Sequence, residues 1–198
     1  SLGPRVAERV FVTRHIKEHM PEAFDFDIPS VCAIAPGVLG VTGVETMDIV
    51  FGVANKVKPD LIIAVDALAS RRAARISTTI QLSDSGISPG SGVGNTRADL
   101  SRANLGVPVI AVGVPLVVYA STISQDTISL IADETGLHGD EERLRELAEQ
   151  VIAKHMGDFI VTPKDIDVIV EDMAGIIANA INSALFGNNL EQVRNMLA

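Results

Sequence analysis

Aromatic residues and cysteine are both scarce in this sequence. Aromatic side chains account for 4% of its 198 residues, there is no tryptophan, and Cys32 is the single cysteine. One cysteine excludes an internal disulfide framework and any metal site built from cysteines alone, and its place in an apolar stretch predicts a buried structural thiol. The core must therefore consist mainly of aliphatic residues, which is typical of buried parallel strands covered by helices.

Positive charge is scarce as well, and no very long apolar run occurs. The chain carries 25 acidic and 16 basic residues, a formal net charge of −9, which argues against a broad nucleic-acid-binding surface. No uninterrupted apolar stretch approaches the roughly 18 residues of a membrane span, and no secretory signal pattern opens the sequence. We expect a soluble cytoplasmic protein that binds neither nucleic acid nor membrane directly.

Apolar stretches typical of strands alternate with helical patterns along the chain. Strands are predicted at residues 31–36, 61–65, 77–82 and 107–115. Helices are predicted at about 44–57, 116–136, 137–157 and 162–186. Thr42 and Glu45 form a capping-box pattern before the first of these helices, and Thr162 is the expected N-cap of the last. The alternation predicts a single α/β domain with a mostly parallel, twisted sheet flanked by helices.

Asp66 directly follows the apolar run at residues 61–65, and a glycine-rich loop at 83–95 follows the next predicted strand. Ligands of open α/β sheets gather beyond the carboxyl ends of the strands, so this edge is a candidate site. Asp66 is then either a turn or capping residue, or a catalytic carboxylate that shares a proton with a second carboxylate and activates water. The residues alone do not supply that second carboxylate.

Two short motifs suggest other chemistry. The stretch "HIKEH" fits the H-x-x-E-H pattern of inverted zinc peptidases and would place His15 and His19 on one face of a helix. Such a site needs a third ligand, and solvated or capping histidines are the simpler interpretation. The glycines at 90–94 resemble a phosphate cradle, but Asn95 stands where the dinucleotide fingerprint has glycine. A loop that contacts a substrate or a neighbouring subunit is favoured over nucleotide binding.

Several motifs in consecutive order resemble the germination protease family, the spore endopeptidases that degrade small acid-soluble spore proteins. They are "LGPRV…VFVTRHI", "PGVLGVTGVET", "KPDLIIAVDALASR", "TIQLSDSGISPGSGVGN", "LGVPVIAVGVP" and "VTPKDIDVIVEDMA". The matches extend from residue 2 to about residue 184. The combination of "DALA-x-R" with "SDSGI-x-PGSGVGN" is far more specific to that family than any one motif.

The resemblance implies an atypical aspartic endopeptidase, unrelated in fold to pepsin and similar to the hydrogenase-maturation peptidases. Members are made as zymogens, assemble as homotetramers, act in the spore core and need no organic cofactor or metal. One catalytic aspartate of the family falls on Asp66. The other would immediately precede Ser1, so we expect the chain to lack its propeptide and the strand that carries this aspartate. The segment near residues 136–140 is also shorter than the family pattern.

Other site residues carry over less directly from the resemblance. Candidates that could support the site are Asp84, Asn95, Arg71, Glu45 and His15. Two alternatives remain open, namely a metal-assisted peptidase of the hydrogenase-maturation type and a non-catalytic binding relative of the family. The residue before Ser1 distinguishes the second alternative, because an aspartate there favours an enzyme.

Overall fold

The computed structural model describes residues 1–23, 26–89, 98–136, 139–155, 157 and 159–197. These residues form two compact units. The first comprises Ser1–Lys58 and Asp167–Ala198, and the second comprises Pro59–Ile166.

Helices are numbered in chain order. They are α1 (Leu2–Ala7), α2 (Arg14–His19), α3 (Leu39–Thr42), α4 (Thr46–Val57), α5 (Arg102–Leu105), α6 (Ala120–Thr135), α7 (Glu141–His155), α8 (Ile166–Phe186) and α9 (Leu190–Leu197). Short 3₁₀ turns occupy Pro21–Ala23, Ala73–Arg75 and Gly187–Asn189. The strands are β1 (Ile62–Ser70), β2 (Gln81–Ser83), β3 (Val109–Tyr119) and β4 (Ile160–Val161).

The second unit is built around β3, the central strand of the sheet. β1 runs parallel to β3 along one edge, from the pair Ile62–Val109 to the pair Ser70–Val118. β2 and β4 are antiparallel to β3 and pair with it at different heights. Both lie along the other edge of β3, because β1 already pairs with the first edge from Val109 to Val118. The helices α6 and α7 pack against each other, and α6 also contacts β3.

The sheet is thus mixed, and the prediction of a mostly parallel sheet is wrong. One of its pairings is parallel, between β1 and β3, and the pairings of β2 and β4 are antiparallel. The sequence shows which segments are apolar enough to form strands, but the direction of pairing depends on how each segment returns to β3. Ten residues separate β1 from β2, which is shorter than the dozen or more that a parallel crossover needs between neighbouring strands.

In the first unit, the end of α8 and α9 form a small apolar cluster. Its buried members are Ile28, Phe186 and Val193. The rings of Phe11 and Phe186 lie 6.1 Å apart between centroids, at an interplanar angle of 43°. This spacing is within the usual range for tilted aromatic pairs. Phe11 and Phe186, two of the few aromatic residues, thus pack together at the C-terminal end of α8.

The predicted strand at residues 31–36 is irregular, and this prediction is wrong. Both backbone groups of Val31 form hydrogen bonds with the start of α2 and not with a strand. Its carbonyl accepts from the N–H groups of Thr13 and Arg14, and its N–H donates to Thr13 Oγ1. Pro29 and Pro36 flank the segment and have no N–H to donate to a ladder. Cys32, predicted to be buried, is exposed for the same reason.

Two predicted helix starts are also displaced. α4 begins at Thr46 with Glu45 at its N-cap position, whereas Thr42 ends α3 and its hydroxyl bonds the carbonyls of Val38 and Val44. α8 begins at Ile166, so Thr162 is not its N-cap and instead donates to the carbonyl of Pro163. The helix ends are closer to the predictions, since α6 stops at Gly136, which has φ +68°.

One helical segment of the described chain, Ile166–Leu197, is long and apolar enough to cross a membrane by length and composition alone. The core helix of a soluble protein meets the same two conditions. Several α8 side chains are buried, including Val170, Ala174, Ile177 and Ala178, as expected for a core helix.

Candidate functional site

Asp66 lies in the middle of β1. The sequence placed it just beyond the end of a strand, and this prediction is wrong. β1 continues for four residues after Asp66 because the stretch "ALAS" remains paired with β3 as far as Val118. The register shifts once, between Leu68 and Ala69. A carboxylate within a strand projects from one face of the sheet, so the candidate site lies over that face and not beyond its edge.

The pairing register places three residues in one row across the sheet. Asp66 of β1 is opposite Gly113 of β3, and Gly113 is opposite Gln81 of β2. Residues in register project from the same face of a sheet, so the side chains of Asp66 and Gln81 are on one face. Their Cα atoms are separated by two strand spacings, about 10 Å. No local sequence pattern singles out Gln81 or Gly113, because only the strand register relates them to Asp66.

The Asp66 carboxylate is half-buried and is held by its own strand. Its Oδ1 accepts a hydrogen bond of 2.8 Å from the N–H of Ala67. A bond from the next residue's N–H fixes the rotation of the carboxylate relative to the backbone of β1. The position of this peptide therefore sets where the carboxylate points.

Two of the expected supporting residues belong to the same unit but lie away from Asp66. Arg71 is exposed in the bend after β1, five residues along the chain, which corresponds to about 16 Å of extended strand. Asp84 is exposed and follows Ser83, which pairs with Ala111. Because β2 is antiparallel to β3, the chain at Asp84 has moved toward the amino-terminal end of β1, in the opposite direction from Arg71.

The remaining candidates are in the first unit or outside the described residues. Glu45 occupies the N-cap position of α4, where its carbonyl accepts from the N–H groups of Asp48 and Ile49. His15 is exposed on α2. Asn95 lies outside the residues that the structure describes.

The H-x-x-E-H motif does form a helix, α2, with His15 and His19 four residues apart and both exposed. Its Glu18 forms an ion pair with Arg14 one turn earlier. Over the part of the chain that the structure describes, no group of three or more histidine, cysteine, aspartate or glutamate side chains is arranged to hold a metal ion.

A small cleft lies at the far end of the sheet from this row. Tyr119, Ser121, Glu149 and Phe159 are among its lining residues. Tyr119 is the last residue of β3, six positions beyond Gly113. None of the candidate site residues lines this cleft, so it gives no support to the carboxylate chemistry predicted for Asp66.

Comparison with known proteins gives a consistent match over nearly the whole chain. A protein-family model described as Germination protease matches residues 1–143 and 134–196. A germination protease of Clostridium acetobutylicum is 47% identical over 93% of this chain, and one of Clostridium tetani is 45% identical over the same share. A germination protease of Caldanaerobacter subterraneus subsp. tengcongensis is 47% identical over 100% of this chain.

These relatives are longer proteins. The chain spans 61% of the two Clostridium proteins and 65% of the Caldanaerobacter protein. The matches include β1, β2 and β3, and with them the row that joins Asp66, Gly113 and Gln81.

Proposed function

This chain belongs to the germination protease family, and on that premise we propose that the full-length protein is an endopeptidase of spore germination. Its proposed substrates are the small acid-soluble spore proteins, and its proposed location is the spore core. The observation that carries the proposal is the position of Asp66: a half-buried carboxylate in the row Asp66–Gly113–Gln81, inside the region matched by the family.

The proposed chemistry is hydrolysis by a pair of aspartates. Asp66 is one member, and the other is the residue expected immediately before Ser1, in an N-terminal part that also includes a propeptide. One carboxylate acts as general base toward a water molecule. The other, protonated, donates to the scissile carbonyl or to the leaving amine. Two carboxylates that share one proton can divide these roles, as in other aspartic proteases.

Cleavage of a purified small acid-soluble spore protein by the full-length protein tests this function. The Asp66→Asn variant keeps the shape of the side chain and its acceptor for the Ala67 N–H, but cannot act as a base. We expect its kcat to fall by about two to four orders of magnitude, the usual contribution of a general base. Asp133→Asn, an exposed change on α6, is the matched control and should leave kcat unchanged.

Each alternative predicts a different result in the same assay. If the wild-type protein cleaves no peptide bond but binds the spore protein, it is a binding relative. If Asp66→Asn cleaves at the wild-type rate, Asp66 has no part in the mechanism. If chelation abolishes cleavage and a single metal restores it, the reaction is metal-assisted and the proton-sharing pair is wrong.

We also propose that the full-length protein is a homotetramer. An exposed apolar stripe on α7 supports assembly with further copies: Leu144, Leu147 and Val151 recur on one face of the helix and are 50%, 46% and 55% exposed. Stripes of this kind usually pack against another surface. Light scattering on the purified full-length protein gives its mass, and a monomer at micromolar concentration would contradict the proposal.

A further inference from the structure

Gly113, the residue opposite Asp66, has no room for a side chain. A Cβ atom built on it would lie 2.3 Å from Cδ1 of Leu68 and 2.8 Å from Cγ of the same side chain. Carbon atoms in favourable contact are about 3.5–4.0 Å apart. Gly113 is not among the glycines with positive φ, so the restriction at this position is steric. The Leu68 side chain already occupies the space.

The register explains how Leu68 reaches Gly113. Leu68 is two residues beyond Asp66 on β1, so both side chains project from the same face. Its own partner on β3 is Pro115, and the register shifts immediately afterwards, so that Ala69 is opposite Val117. The Leu68 side chain therefore leans back along β3 from the irregular part of the strand and covers the residue opposite Asp66.

This packing is coupled to the Asp66 carboxylate through one peptide. Ala67, the residue between Asp66 and Leu68, donates the 2.8 Å hydrogen bond that orients Asp66 Oδ1. The atoms that a Cβ on Gly113 would meet belong to the Leu68 side chain. Where that side chain cannot turn aside, pushing it off Gly113 displaces the backbone of Ala67, and with it the N–H on which the carboxylate rests. Gly113 thus acts on Asp66 through Leu68 and Ala67.

We propose that Gly113 and Leu68 are positioning residues for Asp66, with the Leu68 side chain seated on Gly113 so that the Ala67 peptide holds the carboxylate in one orientation. This inference rests on the proposed function, in which Asp66 reacts with substrate through water. It assigns a role to the glycine of "IAVGVP" that neither composition nor motif spacing indicates.

The test compares four variants of the full-length protein in the spore-protein cleavage assay. Gly113→Ala adds the methyl group that collides with Leu68. The double variant Leu68→Ala/Gly113→Ala adds it and removes the collision, and Leu68→Ala leaves Gly113 uncovered. Gly175→Ala is the control, since a Cβ at this helical glycine would meet nothing within 4 Å.

We expect Gly113→Ala to lower kcat by about 10- to 100-fold, because a displacement of about 1 Å in a catalytic group costs up to about a hundredfold. KM should change much less, and the double variant should regain the lost kcat only as far as the level of Leu68→Ala. Leu68→Ala should lower kcat at least about threefold, since the Ala67 peptide is then less restrained. Gly175→Ala should match the wild type.

A kcat for Gly113→Ala within about twofold of wild type would overturn the inference, and so would a folded double variant no faster than Gly113→Ala. If neither of these variants folds, Leu68→Ala decides the question, and an unchanged kcat rejects the proposal.

The carbon-13 shift of the Asp66 carboxyl is a second readout that needs no activity. It should move in Gly113→Ala and return in the double variant, while the Asp133 carboxyl shift stays fixed. An active Asp66→Asn variant would refute the proposed function, whereas an inactive one beside a normal Gly113→Ala refutes only the positioning role.

Discussion

Asn182, near the C-terminal end of α8, binds the backbone on both sides of Val10. Its Oδ1 accepts from the N–H of Phe11 at 2.9 Å, and its Nδ2 donates to the carbonyl of Arg9 at 3.0 Å. Asn182 is only 3% exposed. One buried amide therefore satisfies a donor and an acceptor of the irregular segment between α1 and α2, and fixes that segment to α8.

Replacing Asn182 with alanine should destabilise the protein by about 2–4 kcal/mol, because two half-buried backbone groups lose their partners. The cost is about 1–3 kcal/mol for each such group when it is fully buried, and less here. Urea unfolding followed by circular dichroism measures this, since the chain has no tryptophan for fluorescence. Asn179→Ala, an exposed change one turn earlier on α8, is the control and should lie within about 0.5 kcal/mol of wild type. Equal losses in the two variants would contradict the role given to Asn182.

The apolar stripe of α8 could be predicted from the sequence, but the role of Asn182 could not. The apolar periodicity of residues 162–186 predicts an amphipathic helix whose stripe includes Ile176 and Ile177. Ile177 is indeed buried, whereas Ile176 is 53% exposed. Which face is covered depends on what packs there, and Asn182 faces the covered side because a segment 170 residues earlier supplies its hydrogen-bonding partners.

Gly86 is required where the chain leaves β2. Its φ is +91°, and a Cβ on it would lie 2.3 Å from the carbonyl oxygen of Leu100. The next residue, Ile87, exchanges two backbone hydrogen bonds with Leu100, of 3.1 and 2.8 Å. The backbone at Leu100 therefore cannot move away without loss of this bridge.

Gly86→Ala should cost about 1–2 kcal/mol for the left-handed conformation and about 1–3 kcal/mol more for the collision with backbone. Gly106→Ala isolates the first cost, because Gly106 has φ +70° and open space around its Cα. Both variants are compared with wild type by urea unfolding. If Gly86→Ala is no less stable than Gly106→Ala, the close approach to Leu100 does not exist in solution.

The sequence singled out Asp66 as a candidate catalytic residue but could not give its surroundings. Aspartate is uncommon inside strands, so the apolar run appeared to stop before it. The strand continues because its partner β3 continues, and that pairing between residues 62–70 and 109–118 is long-range. Gly113 and Gln81 fall in one row with Asp66 only through this register, which no local pattern encodes.

Asp126 on α6 fixes the turn that follows β1. Its Oδ2 accepts from the N–H of Ala73 at 2.7 Å, at the start of the 3₁₀ turn Ala73–Arg75. Asp126→Ala should destabilise the protein by about 1–3 kcal/mol, since the Ala73 N–H loses its acceptor. Asp126→Asn keeps an acceptor oxygen and should cost less than half as much, while Asp133→Asn, exposed on the same helix, should cost almost nothing.

Amide hydrogen exchange at Ala73 separates a local effect from a global one. In Asp126→Ala the Ala73 amide should exchange faster than the amides of β1, because the turn opens without unfolding the sheet. Asp126→Asn should show an intermediate rate. If the Asn variant behaves like the Ala variant, then the charge of Asp126, and not the hydrogen bond alone, holds the turn.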